Sequence, residues 1–455
     1  MKESREFLGT EPIGQLLRKL AIPTVTAQLI NMLYNIVDRI YIGHIPGEGA
    51  AALTGLGVCV PLIMIVSAFA AFSGSGGAPR SSIAMGRGDY QEAENILGNC
   101  FILQIVISVV LSVFLLCFNK PLLLMFGASE NTISYATAYM NIYSLGTIFV
   151  QLTLGMNAFI TAQGFTKISM ASIMIGAVTN IILDPIFIFG FDMGVAGAAL
   201  ATIIAQGCSC IWVLSFLIGK KTSIRLRVKY FRMNRDVILP CVALGLAMFI
   251  MNASESIIFV CYNSSLLKYG GDIAVGAMTI LMSVTQLAML PLQGVGQGAQ
   301  PIISYNYGAG NADRVRNAFK LLLKVNMTYA ILMWLFVMIT PQTLASIFTS
   351  DVELRAFSES ALRVYFAVLF MFGIQISCQM TFGALGNAKA SIMVAVMRKF
   401  VLMIPLIYIL PAVMKGNETI AVYMAEPVSD FLAMTFTAIL FYFQFKKAML
   451  ALEKQ

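Results

Sequence analysis

Three carboxylates stand where a chain this apolar should have none. Asp38 lies in "MLYNIVDRIYIG", Asp184 in "NIILDPIFIFG" and Glu255 in "MNASESIIFV". A charge at the centre of a membrane-spanning helix costs roughly 2.5–3.5 kcal/mol on insertion scales, so an acid kept there marks an ion path or a binding site by default. The neighbours support that reading. Asn31, Tyr34 and Asp38 are spaced by three and four, and Asn180 precedes Asp184 by four, so each set shares one helix face. Pro185 follows Asp184; it lacks an N–H and its ring displaces the carbonyl of Ile181, leaving an oxygen free for a cation. Thr202 lies in the small-residue run "GVAGAALATII", which permits close helix approach. These residues predict a polar pocket in the first part of the chain. Asn252, Glu255 and Tyr262 predict a similar stripe in the second, joined by Gln286, Gln293 and Gln297, and by Gln375 and Gln379. Asp38 and Arg39 are adjacent, about 100° apart on a helix, and so are poor partners for each other. Two other readings stay open for each acid, a structural ion pair or a polar contact between helices, and amides often only bridge helices.

The elements holding these residues follow from composition. Of 455 residues, 58% are hydrophobic and 11% charged, and the mean hydropathy is +0.82. A typical soluble domain carries about 25% charged residues; this chain is an all-α integral membrane protein. Spans need about 20 apolar residues each, and twelve are predicted, over 16–43, 51–77, 95–118, 134–162, 167–190, 195–219, 237–266, 273–300, 317–340, 356–386, 390–413 and 418–445. The connections are too short for a soluble catalytic domain. Enzyme chemistry is disfavoured in other ways too. The single histidine, His44, falls in a loop, the eight cysteines are scattered without a metal spacing, and neither a phosphate-binding Gly-x4-Gly-Lys-Ser/Thr run nor a Gly-x-Ser-x-Gly elbow occurs. No cofactor is expected.

Of the 30 Lys and Arg, 22 fall in the N-terminal stretch, alternate connections and the C-terminal stretch, against five in the other connections. The positive-inside rule then puts both termini in the cytoplasm. It also explains the formal charge of +8 without nucleic acid. The stretch Met1 to Glu11 is polar and mixed in charge and predicts no cleavable signal. "KKTSIRLRVKYFRMNRD", 220–236, is a basic linker on that side, and anionic lipid is its other expected contact.

The linker divides a repeat. Pro23 precedes Asp38 by fifteen residues, as Pro240 precedes Glu255. "GSGGAPRSSIAMGRGDYQEAEN" is matched by "GVGQGAQPIISYNYGAGNADRVRN", and "QGFTKISMASIM" by "LGNAKASIMVAV". The expected architecture is therefore two parallel-repeat six-helix bundles, 1–219 and 237–455, with sites near mid-membrane.

The segments "MLYNIVDRIYIG", "GSGGAPRSSIAMGRGD" and "NIILDPIFIFGFDMGVAGAALAT" resemble the multidrug and toxic compound extrusion (MATE) family, over essentially the whole chain, and most of all its bacterial multidrug exporter branch. The resemblance implies a monomeric antiporter of the bacterial plasma membrane that exports drugs, mostly organic cations, in exchange for protons or sodium. It implies an ion-coupling cluster at Tyr34, Asp38, Asn180, Asp184 and Thr202, with Asp38 and Asp184 as sodium ligands if sodium is the ion. In another branch an acid on the seventh helix matters, matched here by Glu255, but that branch's acid on the tenth helix is Gln375 here. Substrate contacts are expected from Glu255, Asn252, Gln286, Gln293, Gln375 and Asn31. The alternatives are a lipid-linked precursor flippase and an exporter of an endogenous metabolite.

Overall fold

The computed structural model describes residues 3–454, which are helical with short connections. A short N-terminal helix, Glu3–Thr10, leads into α1 (Ile13–Gly43). It is followed by α2 (Gly49–Gly86), α3 (Tyr90–Met125), α4 (Ile133–Leu145 and Thr147–Ala162), α5 (Thr166–Gly190) and α6 (Gly194–Ile218). A continuous helical stretch, Arg235–Gly308, runs for 74 residues. At 1.5 Å per residue that is about 110 Å, far more than the roughly 30 Å of hydrocarbon. Gly271, with φ 66° and ψ −162°, breaks it into α7 (235–270) and α8 (272–308). Then come α9 (Ala312–Ile339), α10 (Val352–Tyr365 and Leu369–Ala384), α11 (Ala388–Val413) and α12 (Glu418–Glu453). The twelve expected spans are present as two six-helix halves.

Two spans expected to be single helices are bent, α4 by 57° and α10 by 46°. In α4 the break is at Gly146, where a Cβ would run into Ile203 of α6. Several helices outrun their predicted ends, α2 to Gly86, α8 to Gly308 and α12 to Glu453. Apolar composition ends at the hydrocarbon edge, whereas the backbone hydrogen-bond ladder does not.

The sequence repeat is the same turn built twice. Gly88 (φ 80°) and Gly310 (φ 73°) hold left-handed backbone that favours glycine. The next residues, Asp89 and Asn311, cap α3 and α9 by accepting from the backbone N–H of Glu92 and Arg314. The Gly-x-Gly turns are thus helix connections.

The halves meet chiefly through α1 and α2 packed against the α7–α8 stretch. Small residues allow backbone contact. A Cβ on Gly294 would strike Val25, one on Gly298 would strike Ala21, and one on Gly76 would strike the Cys241 carbonyl. Thr24 Oγ1 donates to the Gly294 carbonyl at 2.6 Å, and Gln28 Nε2 to Gln297 Oε1 at 3.1 Å. Phe249 of α7 stacks on Phe72 of α2. These contacts cluster toward the end of the bundle that carries the linker. Farther along the same helix faces, Asn31, Asn252 and Gln286 are exposed. Near the other end, a cavity of about 510 Å³ opens between Phe126 of the first half and Phe259, Asn263, Leu267 and Asp272 of the second. The result is a cleft, closed at the linker end and open at the other.

Two straps reinforce the closed end, and each crosses between the halves. The segment before α1 docks on the second half. The Leu8 carbonyl accepts from Asn306 Nδ2 at 2.9 Å and from Arg314 Nη2 at 3.2 Å, and the Glu11 carbonyl accepts from Arg314 Nη2 at 2.7 Å. The segment before α7 docks on the first half. Gln163 Oε1 accepts from the backbone N–H of Ser223 and Ile224, Asn99 Oδ1 accepts from that of Asn234, and Arg227 pairs with Glu94 at 2.8 Å. The expected linker is therefore a docked element, with Ile224, Leu226 and Tyr230 buried.

Candidate functional site

In the first half, α1, α5 and α6 bring together the residues read from the sequence. Asp38 and Asp184 are buried, at 8% and 0% exposure, and their carboxyl groups lie within hydrogen-bonding reach of each other. Asn180 Nδ2 donates to Asp184 Oδ1 at 3.1 Å and reaches Thr202 Oγ1 at 3.4 Å. Tyr34 lies one turn before Asp38 on α1. Asp38 Oδ1, Asp184 Oδ2 and Asn180 Oδ1 are buried without a hydrogen-bond partner. Buried polar atoms are almost always bonded, so three unbonded oxygens in one pocket mark a place for a donor or a cation. Arg39 is exposed, and no ion pair among the described residues joins it to Asp38. Past Pro185 the helix widens into a π-helical turn, Ile186–Gly190. Tyr139 of α4, absent from the sequence reading, adjoins Asp38 and Thr202 and stacks near Tyr143 at 6.2 Å. Its signal is the i, i+4 tyrosine pair in "SYATAYMNIYSL", which looks like ordinary helix packing until a carboxylate is found opposite.

The second half differs from expectation. Glu255 does not stand alone beside Asn252: Lys399 Nζ of α11 approaches its carboxylate to 2.5 Å. The adjacent Arg398 donates from Nε to Asp430 at 2.7 Å and lies 3.5 Å from Glu426, both on α12. Tyr262 donates to Glu426 at 3.1 Å. A π-helical stretch, Met397–Met403, widens α11 where these two neighbouring cations are buried. Glu426 and Asp430 went unread in the sequence, although their i, i+4 spacing around Pro427 was a signal of the same kind as Asn180 and Asp184. The glutamines separate. Gln286 is exposed and Gln293 half-buried on the α8 stripe that ends at Gln297. Gln375 is buried at 1% exposure with neither amide atom bonded. Asn31 is exposed one turn beyond Gln28, apart from the buried pocket.

The two-half arrangement has counterparts among known proteins. The MatE family model matches residues 23–186 and again 247–409. A multidrug export protein, MepA of Staphylococcus haemolyticus, is 24% identical over 437 residues, 95% of each chain. MepA of Staphylococcus aureus (strain N315) is 23% identical over 440 residues, 96% of each chain. Among solved structures, a MATE protein in a bent conformation superposes with a TM-score of 0.90 at 22% identity, covering 100% of this chain and 99% of that one. A MOP superfamily transporter from Pyrococcus furiosus, whose binding pocket is described as having reverse polarity, gives 0.88 at 23% identity with the same coverage. Matched twice, once in each half, the chain belongs to the MatE family, the multidrug and toxic compound extrusion transporters.

Proposed function

We propose that the protein is a multidrug efflux antiporter that exports organic, mostly cationic, compounds in exchange for protons or sodium ions. The observation that carries this reading is the Asp38–Asp184 pair, sealed inside the first half with three unbonded oxygens beside a cleft closed at one end. Two carboxylates side by side in a low-dielectric site repel each other unless a positive charge joins them. A proton or a sodium ion supplies that charge, and Asp, Asn and Thr side chains provide hard oxygen ligands. In this reading Asp38, Asp184, Asn180, Thr202 and Tyr34 bind the coupling ion. Asn31, Asn252, Glu255, Gln286 and Gln293 face drug in the cleft. The halves, 1–219 and 237–455, rock about the linker 220–236, and the ion drives export to the extent that it favours one conformation over the other. Residues 1, 2 and 455 of those bounds lie outside the described residues. The protein acts as a monomer in the bacterial plasma membrane with both termini in the cytoplasm. The MepA relatives, named multidrug export proteins, support the cargo class.

Dye export by inverted vesicles tests the reading. Ethidium accumulation is expected under a sodium gradient or a proton gradient imposed alone, and the one that drives it identifies the ion. No accumulation under either, with the protein present in the vesicles, rejects drug antiport in favour of a metabolite or lipid-precursor carrier. Orientation has its own test. A single cysteine at Lys229, in a variant with the eight native cysteines replaced, is expected to react with an impermeant maleimide only in inverted vesicles; reaction in intact cells reverses the topology.

A further inference from the structure

The second half holds five charged side chains in one cluster, Glu255, Arg398, Lys399, Glu426 and Asp430. Three acids face two bases, so one negative charge is unmatched. The distances identify where. Glu255 holds Lys399 at 2.5 Å and Asp430 holds Arg398 at 2.7 Å, while Glu426 has only an Arg398 nitrogen at 3.5 Å and the Tyr262 hydroxyl at 3.1 Å. Exposure divides the cluster differently. The Glu255 side chain is 43% exposed, against 3% for Lys399, 10% for Glu426 and 1% for Asp430. Phe259 and Asn263, one and two turns beyond Glu255, line the cavity that faces Phe126 across the cleft. The one acid of the cluster that a solute in the cleft reaches is therefore the acid already held, from behind, by an ammonium group.

We infer that Lys399 is a tethered cation that competes with cationic substrate for Glu255, and that it transfers to Glu426 when substrate binds. This rests on the reading that the cleft takes organic cations. Lys399 is the chain neighbour of Arg398, which lies 3.5 Å from Glu426, and a lysine is a point charge on a flexible four-carbon stem. Arg398 is pinned between two acids and does not substitute for it. The exchange leaves no charge unpaired. The incoming cation takes Glu255, Lys399 takes the under-matched Glu426, and Asp430 keeps Arg398. One added positive charge makes the cluster neutral, and a second has no acid to meet. The substrate class selected at this wall is the organic monocation.

The test is binding of tetraphenylphosphonium, a monocation, and methyl viologen, a dication, to the purified protein in nanodiscs. Lys399→Gln removes the competitor, and tetraphenylphosphonium affinity is expected to rise about tenfold. Glu426→Gln, in the buried part of the cluster, removes the refuge of Lys399, and affinity is expected to fall about tenfold. In the Lys399→Gln background, Glu426→Gln is expected to have no further effect, a non-additivity that a merely structural role does not produce. Lys399→Arg, which keeps the charge but grips Glu255 with a fork, is expected to bind more weakly than the unaltered protein and serves if Lys399→Gln fails to fold. Methyl viologen is expected to bind at least tenfold more weakly than tetraphenylphosphonium. Unchanged affinity in Lys399→Gln, additive effects that return the double variant to the parent's affinity, or equal affinity for the two ligands overturns the inference. Absence of tetraphenylphosphonium binding and of ethidium export in the unaltered protein overturns the drug-transport reading instead.

Discussion

Asp38→Asn and Asp184→Asn are each expected to fold, to bind drug and to lose gradient-driven export by about 100-fold. An allosteric coupling energy of about 1–3 kcal/mol corresponds to a roughly 5–150-fold effect, and these two carboxylates supply the charge that an ion would neutralise. Asparagine keeps the shape and one oxygen and removes the charge. The structure makes the two variants distinguishable in detail. One oxygen of each acid is unbonded, and the other Asp184 oxygen accepts from Asn180 at 3.1 Å. The loss at Asp184 therefore includes some reordering of Asn180 and Thr202, and the loss at Asp38 is nearer to loss of charge alone. The measurement is drug transport in proteoliposomes with and without an imposed ion gradient. If both variants keep full gradient-driven export, the pair is structural and coupling lies elsewhere.

Arg398→Met is expected to destabilise the protein by about 3–5 kcal/mol, because removing one partner of a buried ion pair leaves the other charge uncompensated. Here two acids lose their cation at once. Asp430 is 1% exposed and takes the Arg398 Nε at 2.7 Å. The Arg398 guanidinium also lies 5.0 Å from the centre of the Phe372 ring, so α10 loses a cation–π contact as well. A triple variant, Arg398→Met with Asp430→Leu and Glu426→Gln, is expected to recover most of that stability, since replacing a whole buried ionic group by apolar or neutral residues is often neutral or better. Heating the detergent-purified proteins and measuring the monomer left by size-exclusion chromatography checks both. A single variant as heat-resistant as the parent shows that Arg398 is not holding α11 to α12.

The residues legible in sequence were those whose type clashes with their surroundings. Asp38, Asp184 and Glu255 stand out in apolar runs, helical spacing sets Tyr34 and Asn180 beside the first two, and a small-residue run marks Thr202; the fold does place that first set together. Partners from distant helices were not legible. Lys399 meets Glu255 across 144 residues, and no local pattern announces such a pairing. Tyr139 was hidden because tyrosine is at home in any membrane helix. The burial of Gln375 was equally hidden, since an amide on a helix has a face only once its neighbours are known. The bends in α4 and α10 were invisible for a related reason: hydropathy sums composition along a window and is blind to where the axis turns. The repeat, by contrast, was readable because Gly88 and Gly310 must take the same left-handed turn.

The crossed straps also impose an order of assembly during translation. The linker meets Gln163 and Asn99 as soon as it emerges, because those residues precede it in the chain. The leading segment finds only part of its dock there: Phe7 and Leu8 pack against Gly164, but the Leu8 and Glu11 carbonyls bind Asn306 and Arg314, roughly 300 residues later. At about 5–20 residues per second, the ribosome makes Leu8 some 15–60 s before it makes Arg314. During that interval the first half sits in the bilayer with its linker seated and the carbonyls of its leading segment without their second-half donors. The clamp at the linker end is completed only when α9 begins to form, so the nascent first half spends its early life without the contact that later holds it shut against its twin.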